Sequence, residues 1–148
     1  QKVEQSVVSS EGSVTTRQQL VNARVGQGEF RDQLLEHWGG KCCATALEIT
    51  ELLRASHIFP WKDSNNQERR DKFNGLLLAA HYDAAFDKHL ITLDKTGDWI
   101  TSSQLTNLEL AKAGLSNINN ERVSGLTANH EKYLELHRET FYSKQSIP

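Results

Sequence analysis

A short apolar run, Gly75-Leu76-Leu77-Leu78-Ala79, constrains the fold of this chain more than any other feature. A run of this length with polar residues before it is typical of a buried strand. Residues 52–58 form a second apolar stretch, and Pro60 stops regular strand pairing just after it. Residues 81–89 have the apolar spacing of a helix. The sequence therefore predicts an α+β domain built around a strand–loop–strand–helix unit.

Further elements are predicted on both sides of this unit. The glycines within 26–28 are expected to separate two helices, and Ser102 or Ser103 to cap a later one. Turn residues at 94–98 predict a hairpin between two short strands. The predicted elements are helices at 17–25, 29–38, 102–113 and 129–142, an extended segment at 42–45, and strands at 91–93 and 99–101.

The composition is typical of one soluble globular domain. Of the 148 residues, 37% are hydrophobic and 24% are charged, and no apolar run has the roughly 20 residues needed to cross a bilayer. The polar residues 1–16 are expected to form a loose lead-in to a domain at 17–148. Because the chain starts at Gln1 and contains no Met, we expect it to be a fragment of a longer protein.

The two cysteines, Cys42 and Cys43, are adjacent in the sequence. Neighbouring cysteines rarely form a disulfide, and two thiols are too few for a four-cysteine zinc site. We therefore expect small buried residues, no structural zinc, and a reducing, cytoplasmic location.

A histidine and two aspartates indicate chemistry near the predicted unit. Asp83 and Asp87 are four residues apart, so on a helix their carboxylates project from one face, where a divalent cation would relieve their repulsion. Oxygen ligands of this kind suit one Mg²⁺ or Mn²⁺ ion. His57 can accept a proton from water at neutral pH. Asn74 has both donor and acceptor groups and could fix the loop that follows His57.

Three blocks that contain these residues resemble the HNH endonucleases, in particular the HNH domains of bacterial restriction enzymes. The blocks lie at 55–61, 74–78 and 83–87, and the last is followed by Leu90-Ile91-Thr92. Segments 24–31 and 133–138 are similar as well, so the resemblance covers roughly residues 24–142. It implies a ββα-metal core with flanking N- and C-terminal helices, one divalent ion, and hydrolysis of DNA phosphodiester bonds to 3′-hydroxyl and 5′-phosphate ends.

By position, the resemblance makes His57 the general base, Asn74 the middle, structural asparagine of the catalytic set, and Asp83 and Asp87 the metal ligands. Ser56 stands where many relatives have a ligating Asp or His, so it is a weaker candidate ligand. Ala46 stands where relatives often have Gly, and we expect a different turn there because Ala rarely adopts positive φ.

The net charge of −2 is unusual for a protein that binds nucleic acid. It favours either a locally basic cleft or dependence on a separate recognition domain or a second copy of the chain. A phosphate contact is one interpretation of the upstream arginines, and a solvated surface is the other. The same alternatives hold for the basic stretch after Trp61. The candidate nucleic-acid contacts are Arg24, Gln27, Arg31, Lys62, Arg69 and Arg70.

The sequence therefore predicts the catalytic domain of a restriction-type, metal-dependent DNA endonuclease with no membrane association. Two alternatives stay open. One is a nuclease toxin domain of similar chemistry. The other is a nucleic-acid-binding module of the same fold that has lost activity. The replacement of a metal ligand by Ser56 would explain that loss.

Overall fold

The computed structural model describes residues 14–145, so most of the predicted lead-in lies outside the described residues. Mixed helices and small antiparallel sheets confirm the predicted α+β class. The helices are α1 (Val14–His37), α2 (Asn66–Arg70), α3 (Ala80–Asp87), α4 (Asn107–Lys112) and α5 (Ala128–Gln145); the strands are β1 (Leu53–His57), β2 (Gly75–Ala79), β3 (Ile91–Leu93) and β4 (Trp99–Thr101). Single 3₁₀ turns lie at Thr50–Leu52, Trp61–Asp63, Lys72–Asn74 and Ile118–Asn120.

The centre of the domain is the antiparallel pair β1 and β2, which runs in register from Leu53 opposite Ala79 to His57 opposite Gly75. All five residues of β2 are buried, as the apolar run predicts. Both α1 and α3 contact this pair, and α3 follows β2 without a loop. Together β1, β2 and α3 form the predicted strand–loop–strand–helix unit.

The predicted hairpin at 91–101 is confirmed as the pair β3 and β4. The last helix is also confirmed. It packs against the core through buried Tyr133, Leu134 and Phe141. None of the helices between residues 14 and 145 is both long enough and apolar enough to span a membrane.

The predicted break at 26–28 is wrong, because α1 continues without interruption from Val14 to His37. A helical glycine costs only about 1 kcal/mol relative to alanine, which packing against the rest of the domain can offset. A Cβ built at Gly26 would lie 3.4 Å from Nε of Arg70, an ordinary van der Waals contact, so no neighbour requires a glycine there.

Two local predictions about caps and strands are also wrong. Thr106, and not Ser102 or Ser103, caps α4, because Thr106 and Glu109 form a reciprocal capping box. Ser102 is occupied elsewhere, since its hydroxyl donates to Oε1 of Gln145 at the end of α5. Residues 43–45 form a turn rather than a strand, although the amide of Cys43 still donates to the Leu77 carbonyl at the edge of β2.

The expectation of a different turn at Ala46 is wrong, because this residue adopts a positive φ of 64°, a conformation that favours glycine. The turn is closed by the Ala46 amide, which donates to the Cys42 carbonyl at 2.9 Å. Side-chain strain at such a position amounts to about 1–2 kcal/mol. The turn therefore keeps a glycine-type backbone with an alanine in it.

We expect Ala46→Gly to raise the free energy of unfolding by about 0.5–1 kcal/mol, since relief of the strain exceeds the added entropy of the unfolded chain. Urea unfolding followed by circular dichroism measures the change. Ala113 is the matched control, because it is exposed and has a φ of −82°, and Ala113→Gly should destabilise. Equal destabilisation by both variants would show that Ala46 is unstrained.

Candidate active site

His57 is the last residue of β1, and its ring orientation is fixed by a backbone contact. Nε2 lies 2.9 Å from the carbonyl oxygen of Arg69. A carbonyl only accepts hydrogen bonds, so Nε2 carries the proton and Nδ1 keeps a free lone pair. The half-buried imidazole also stacks on Phe30, with ring centroids 4.0 Å apart and planes 8° from parallel. Burial lowers the pKa of His57, which keeps the ring neutral at pH 7.

The stacking of Phe30 on His57 depends on Gly75, the residue opposite His57 in the sheet. A Cβ at Gly75 would lie 2.5 Å from Cζ of Phe30 and 2.9 Å from Cδ1 of Leu34. Glycine is therefore needed for the close approach of α1 to this end of the hairpin.

The carbonyl that orients His57 belongs to Arg69, whose side chain is also held in place. Its Nε donates to the Trp61 carbonyl at 2.8 Å, and its guanidinium lies 3.7 Å from the centroid of the Trp61 indole ring. The helix that carries Arg69, α2, starts with a capping box between Asn65 and Glu68. The loop after β1 is therefore ordered around the imidazole.

Asn74 connects this loop to the start of β2 and is completely buried. Its Oδ1 accepts from the Phe59 amide at 2.7 Å, and its Nδ2 donates to the Glu68 carbonyl at 3.1 Å. Longer bonds of 3.4 Å lead from Nδ2 to Oγ of Ser64 and to the Phe59 carbonyl. The amide of Asn74 thus holds both ends of the segment that supplies the Arg69 carbonyl.

We expect Asn74→Ala to lower the free energy of unfolding by about 2–4 kcal/mol, because it leaves the Phe59 amide without its acceptor and removes most of a completely buried side chain. Thermal or urea unfolding measures the loss. Asn129→Ala is the control, since Asn129 is exposed near the start of α5. A loss under 1 kcal/mol for Asn74→Ala would show that the loop does not depend on this side chain.

Ser56, Asp83 and Asp87 come together where α3 crosses the hairpin. Ser56 is buried, and its hydroxyl lies near enough to the Asp83 carboxylate to influence the pKa of that group. Burial raises the pKa of Asp83, the nearby charge of Asp87 raises it further, and the Ser56 hydroxyl and the Arg54 charge oppose the shift. Asp87 is exposed one turn later on the same helix.

Ser56 and His57 are neighbouring residues of β1, so their side chains point in opposite directions. Ser56 points towards α3, whereas His57 points towards Phe30 of α1. Within residues 14–145, no three His, Cys, Asp or Glu side chains are grouped closely enough to hold a metal ion. His57 is therefore not a third ligand beside Asp83 and Asp87.

The donor set nevertheless fits a hard divalent ion that retains several waters. Mg²⁺ commonly binds proteins through only one or two carboxylates. The repulsion between Asp83 and Asp87, together with the raised pKa of Asp83, is what a cation at this position would relieve. Ser56 adds a neutral oxygen next to the pair.

The six predicted nucleic-acid contacts are not all in one place. Gln27, Arg69 and Arg70 line a common groove next to His57. Arg31 lies outside the lining of this groove, and its guanidinium donates to the carbonyls of Leu53 and Thr50 at 2.9 Å each. Arg24 and Lys62 are exposed and also lie outside that lining.

Sequence analysis missed several residues that shape the site. Arg54 is exposed two positions before Ser56 and places a positive charge near Asp83, which strand alternation could have indicated. Phe30 and the main-chain carbonyl of Arg69 orient His57. No spacing along the chain indicates either contact, because both depend on tertiary packing.

Comparison with known families agrees with this geometry. Residues 42–94 match the HNH_2 family model, described as HNH endonuclease, and the match contains β1, β2, α3 and β3. The resemblance predicted from the sequence is therefore confirmed over this segment, which is similar to the HNH endonucleases. No curated protein matches it.

Proposed function

We propose that this chain is the catalytic domain of a divalent-metal-dependent DNA endonuclease of the restriction type. The observation that carries the proposal is the hydrogen bond from Nε2 of His57 to the Arg69 carbonyl, inside the segment that matches the HNH endonucleases. This bond leaves Nδ1 as an acceptor for a proton.

In the proposed reaction, Nδ1 of His57 removes a proton from the water that attacks phosphorus. The phosphorus–O3′ bond breaks and the departing oxygen takes a proton from solvent water, so one product keeps a 5′-phosphate and the other a 3′-hydroxyl. The imidazolium formed keeps its Nε2–H on the Arg69 carbonyl, which stabilises the added charge. Asn74 acts as a positioning residue, because its amide holds the loop that presents this carbonyl.

Asp83 and Asp87, with the Ser56 hydroxyl beside them, would hold the divalent ion. When bound, the ion supplies electrostatic stabilisation of the phosphate and of the departing oxygen. On the protein side, α3 places the two carboxylates one turn apart, and the buried Ser56 lies near Asp83.

The direct test is incubation of supercoiled plasmid with the purified chain in Mn²⁺, in Mg²⁺ and in EDTA. We expect nicking or linearisation with a metal and none in EDTA, and loss of cutting in Asp83→Asn. Labelled ends should carry 5′-phosphates. Binding of DNA without cutting in either metal would favour the inactive binding module, and cutting of RNA alone would overturn the assignment of DNA as substrate.

Ser56→Asp should strengthen metal binding, because a third carboxylate would then face Asp83. We expect about a 10-fold or greater increase in Mn²⁺ affinity by calorimetry, the scale of effect found when metal-site residues are changed. Without metal the extra buried charge should lower the melting temperature, and Mn²⁺ should restore it. The matched control is Ser56→Asn, a neutral side chain of similar size. Equal Mn²⁺ affinity of both variants would place the ion away from residue 56.

We also propose that target recognition comes from a separate domain or from a second copy of the chain. The net charge of −2 supports this, because strong binding to DNA needs an excess of basic residues. A cytoplasmic location is part of the same proposal, and the free thiols of Cys42 and Cys43 support it.

A further inference from the structure

A polar groove with a volume of about 750 Å³ lies between α1 and the segment at 61–70. One wall is a single face of α1, and the other is formed by Trp61 and α2. Five of the lining side chains are amides, two are arginines, and neither Asp nor Glu is among them. The lining residues are Gln19, Asn22, Ala23, Gly26, Gln27, Trp61, Asn66, Gln67, Arg69 and Arg70.

The charge of this groove differs from that of the whole chain. Arg69 and Arg70 make it positive, whereas the chain has a net charge of −2. The guanidinium of Arg70 lies beside Gly26 of α1, 3.4 Å from where a Cβ would be. The groove therefore has the local basic character that binding to a phosphate backbone requires.

Arg69 connects the groove directly to the proposed general base. Its carbonyl binds Nε2 of His57, while its guanidinium covers the indole of Trp61 in the wall of the groove. A molecule in the groove would therefore contact Arg69, the residue whose carbonyl orients the imidazole. Planar guanidinium and indole groups are the surfaces on which nucleobases stack.

We propose that this groove binds an unpaired nucleotide of the DNA substrate beside the scissile bond, an inference that rests on the proposed function. Amide side chains present both donors and acceptors, which match the edges of a nucleobase. Those Watson–Crick edges are accessible only when the base is unpaired or turned out of the duplex. The volume lies in the range of about 300–1,000 Å³ that is usual for sites holding one small ligand, which suits a nucleotide rather than a duplex.

The test measures binding in EDTA, where no metal-dependent cutting occurs. Fluorescence anisotropy compares two labelled 20-base-pair duplexes, one fully paired and one with a single unpaired adenine. We expect the wild-type chain to bind the second probe about tenfold more tightly, the scale of one good hydrogen-bonded contact to a base edge. The double variant Asn22→Ala/Gln67→Ala should lose this preference, and because both side chains are exposed it should fold normally.

Gln33→Ala is the matched control, because Gln33 is an exposed amide on α1 that lines a different cavity. It should keep the tenfold preference. Equal affinity of the wild-type chain for both probes would overturn the proposal, and so would a preference that survives in the double variant. Failure of the wild-type chain to cut plasmid in Mn²⁺ or Mg²⁺ would instead overturn the proposed function, whereas cutting without the binding preference removes the groove proposal alone.

Discussion

Replacing His57 with alanine is expected to slow DNA cleavage by about 100- to 10,000-fold, the usual contribution of a general base. His57→Gln should be equally slow, although its side-chain amide can still donate to the Arg69 carbonyl in place of Nε2. Gln has no basic nitrogen with which to accept the proton. The glutamine variant therefore separates the loss of the base from the loss of packing on Phe30. Single-turnover cleavage in saturating Mn²⁺ measures both rates.

His81→Ala is the control for this experiment. His81 is exposed on α3, two residues before Asp83. The variant therefore shows whether any imidazole near the carboxylates is needed for cutting. We expect it to cut at the wild-type rate. If His57→Gln cuts as fast as the wild-type chain, the imidazole does not act as the base.

A second large effect is expected in acid, where two buried imidazoles should destabilise the fold. His137 is held neutral, because Nε2 donates to the Phe86 carbonyl and Nδ1 accepts from the Thr92 hydroxyl. Burial, together with the nearby His89, lowers its pKa to about 3. Burial and the nearby His37 lower the pKa of His130 to about 4.

Because both pKa values are depressed in the folded state, the unfolded chain binds protons that the folded chain does not. Stability is therefore complete above the unfolded pKa of about 6.5 and falls as the pH drops below it. Each group contributes about 1.4 kcal/mol per pH unit, so the pair should remove roughly 5 kcal/mol between pH 6.5 and 4.5. That is comparable to the whole stability of many domains.

Urea unfolding at several pH values between 7 and 4.5 measures this slope. His137→Gln and His130→Gln should each reduce the slope by about 1.4 kcal/mol per pH unit, whatever their effect on stability at pH 7. The exposed Asn129 gives the control, since Asn129→Ala removes no ionisable group and should leave the slope unchanged. Stability that stays constant from pH 7 to 4.5 would show that these imidazoles are protonated in the folded chain.

Much of the fold follows from local sequence pattern. The apolar run Gly75–Ala79 and the turn residues before Trp99 identify β2 and the second hairpin because burial and turn chemistry act over a few residues. The unbroken α1 does not follow, because tertiary packing outweighs the helix-breaking tendency of Gly26. The positive φ of Ala46 is likewise imposed by its turn rather than favoured by its side chain.

The same distinction applies to the candidate site. The spacing of Asp83 and Asp87 alone places both carboxylates on one helical face. The tautomer of His57 could not be predicted, because it depends on a main-chain carbonyl twelve residues away that has no side-chain signature. The hydrogen bonds from Arg31 to the carbonyls of Thr50 and Leu53 could not be predicted for the same reason.

The most direct test of the proposed metal site is to locate Mn²⁺ in a crystal of the chain by its anomalous scattering. We predict one strong peak between the carboxylates of Asp83 and Asp87, next to the Ser56 hydroxyl, with the Nε2–H of His57 still bound to the Arg69 carbonyl. A peak elsewhere, or none at these carboxylates in saturating Mn²⁺, would contradict the proposed metal-dependent nuclease site.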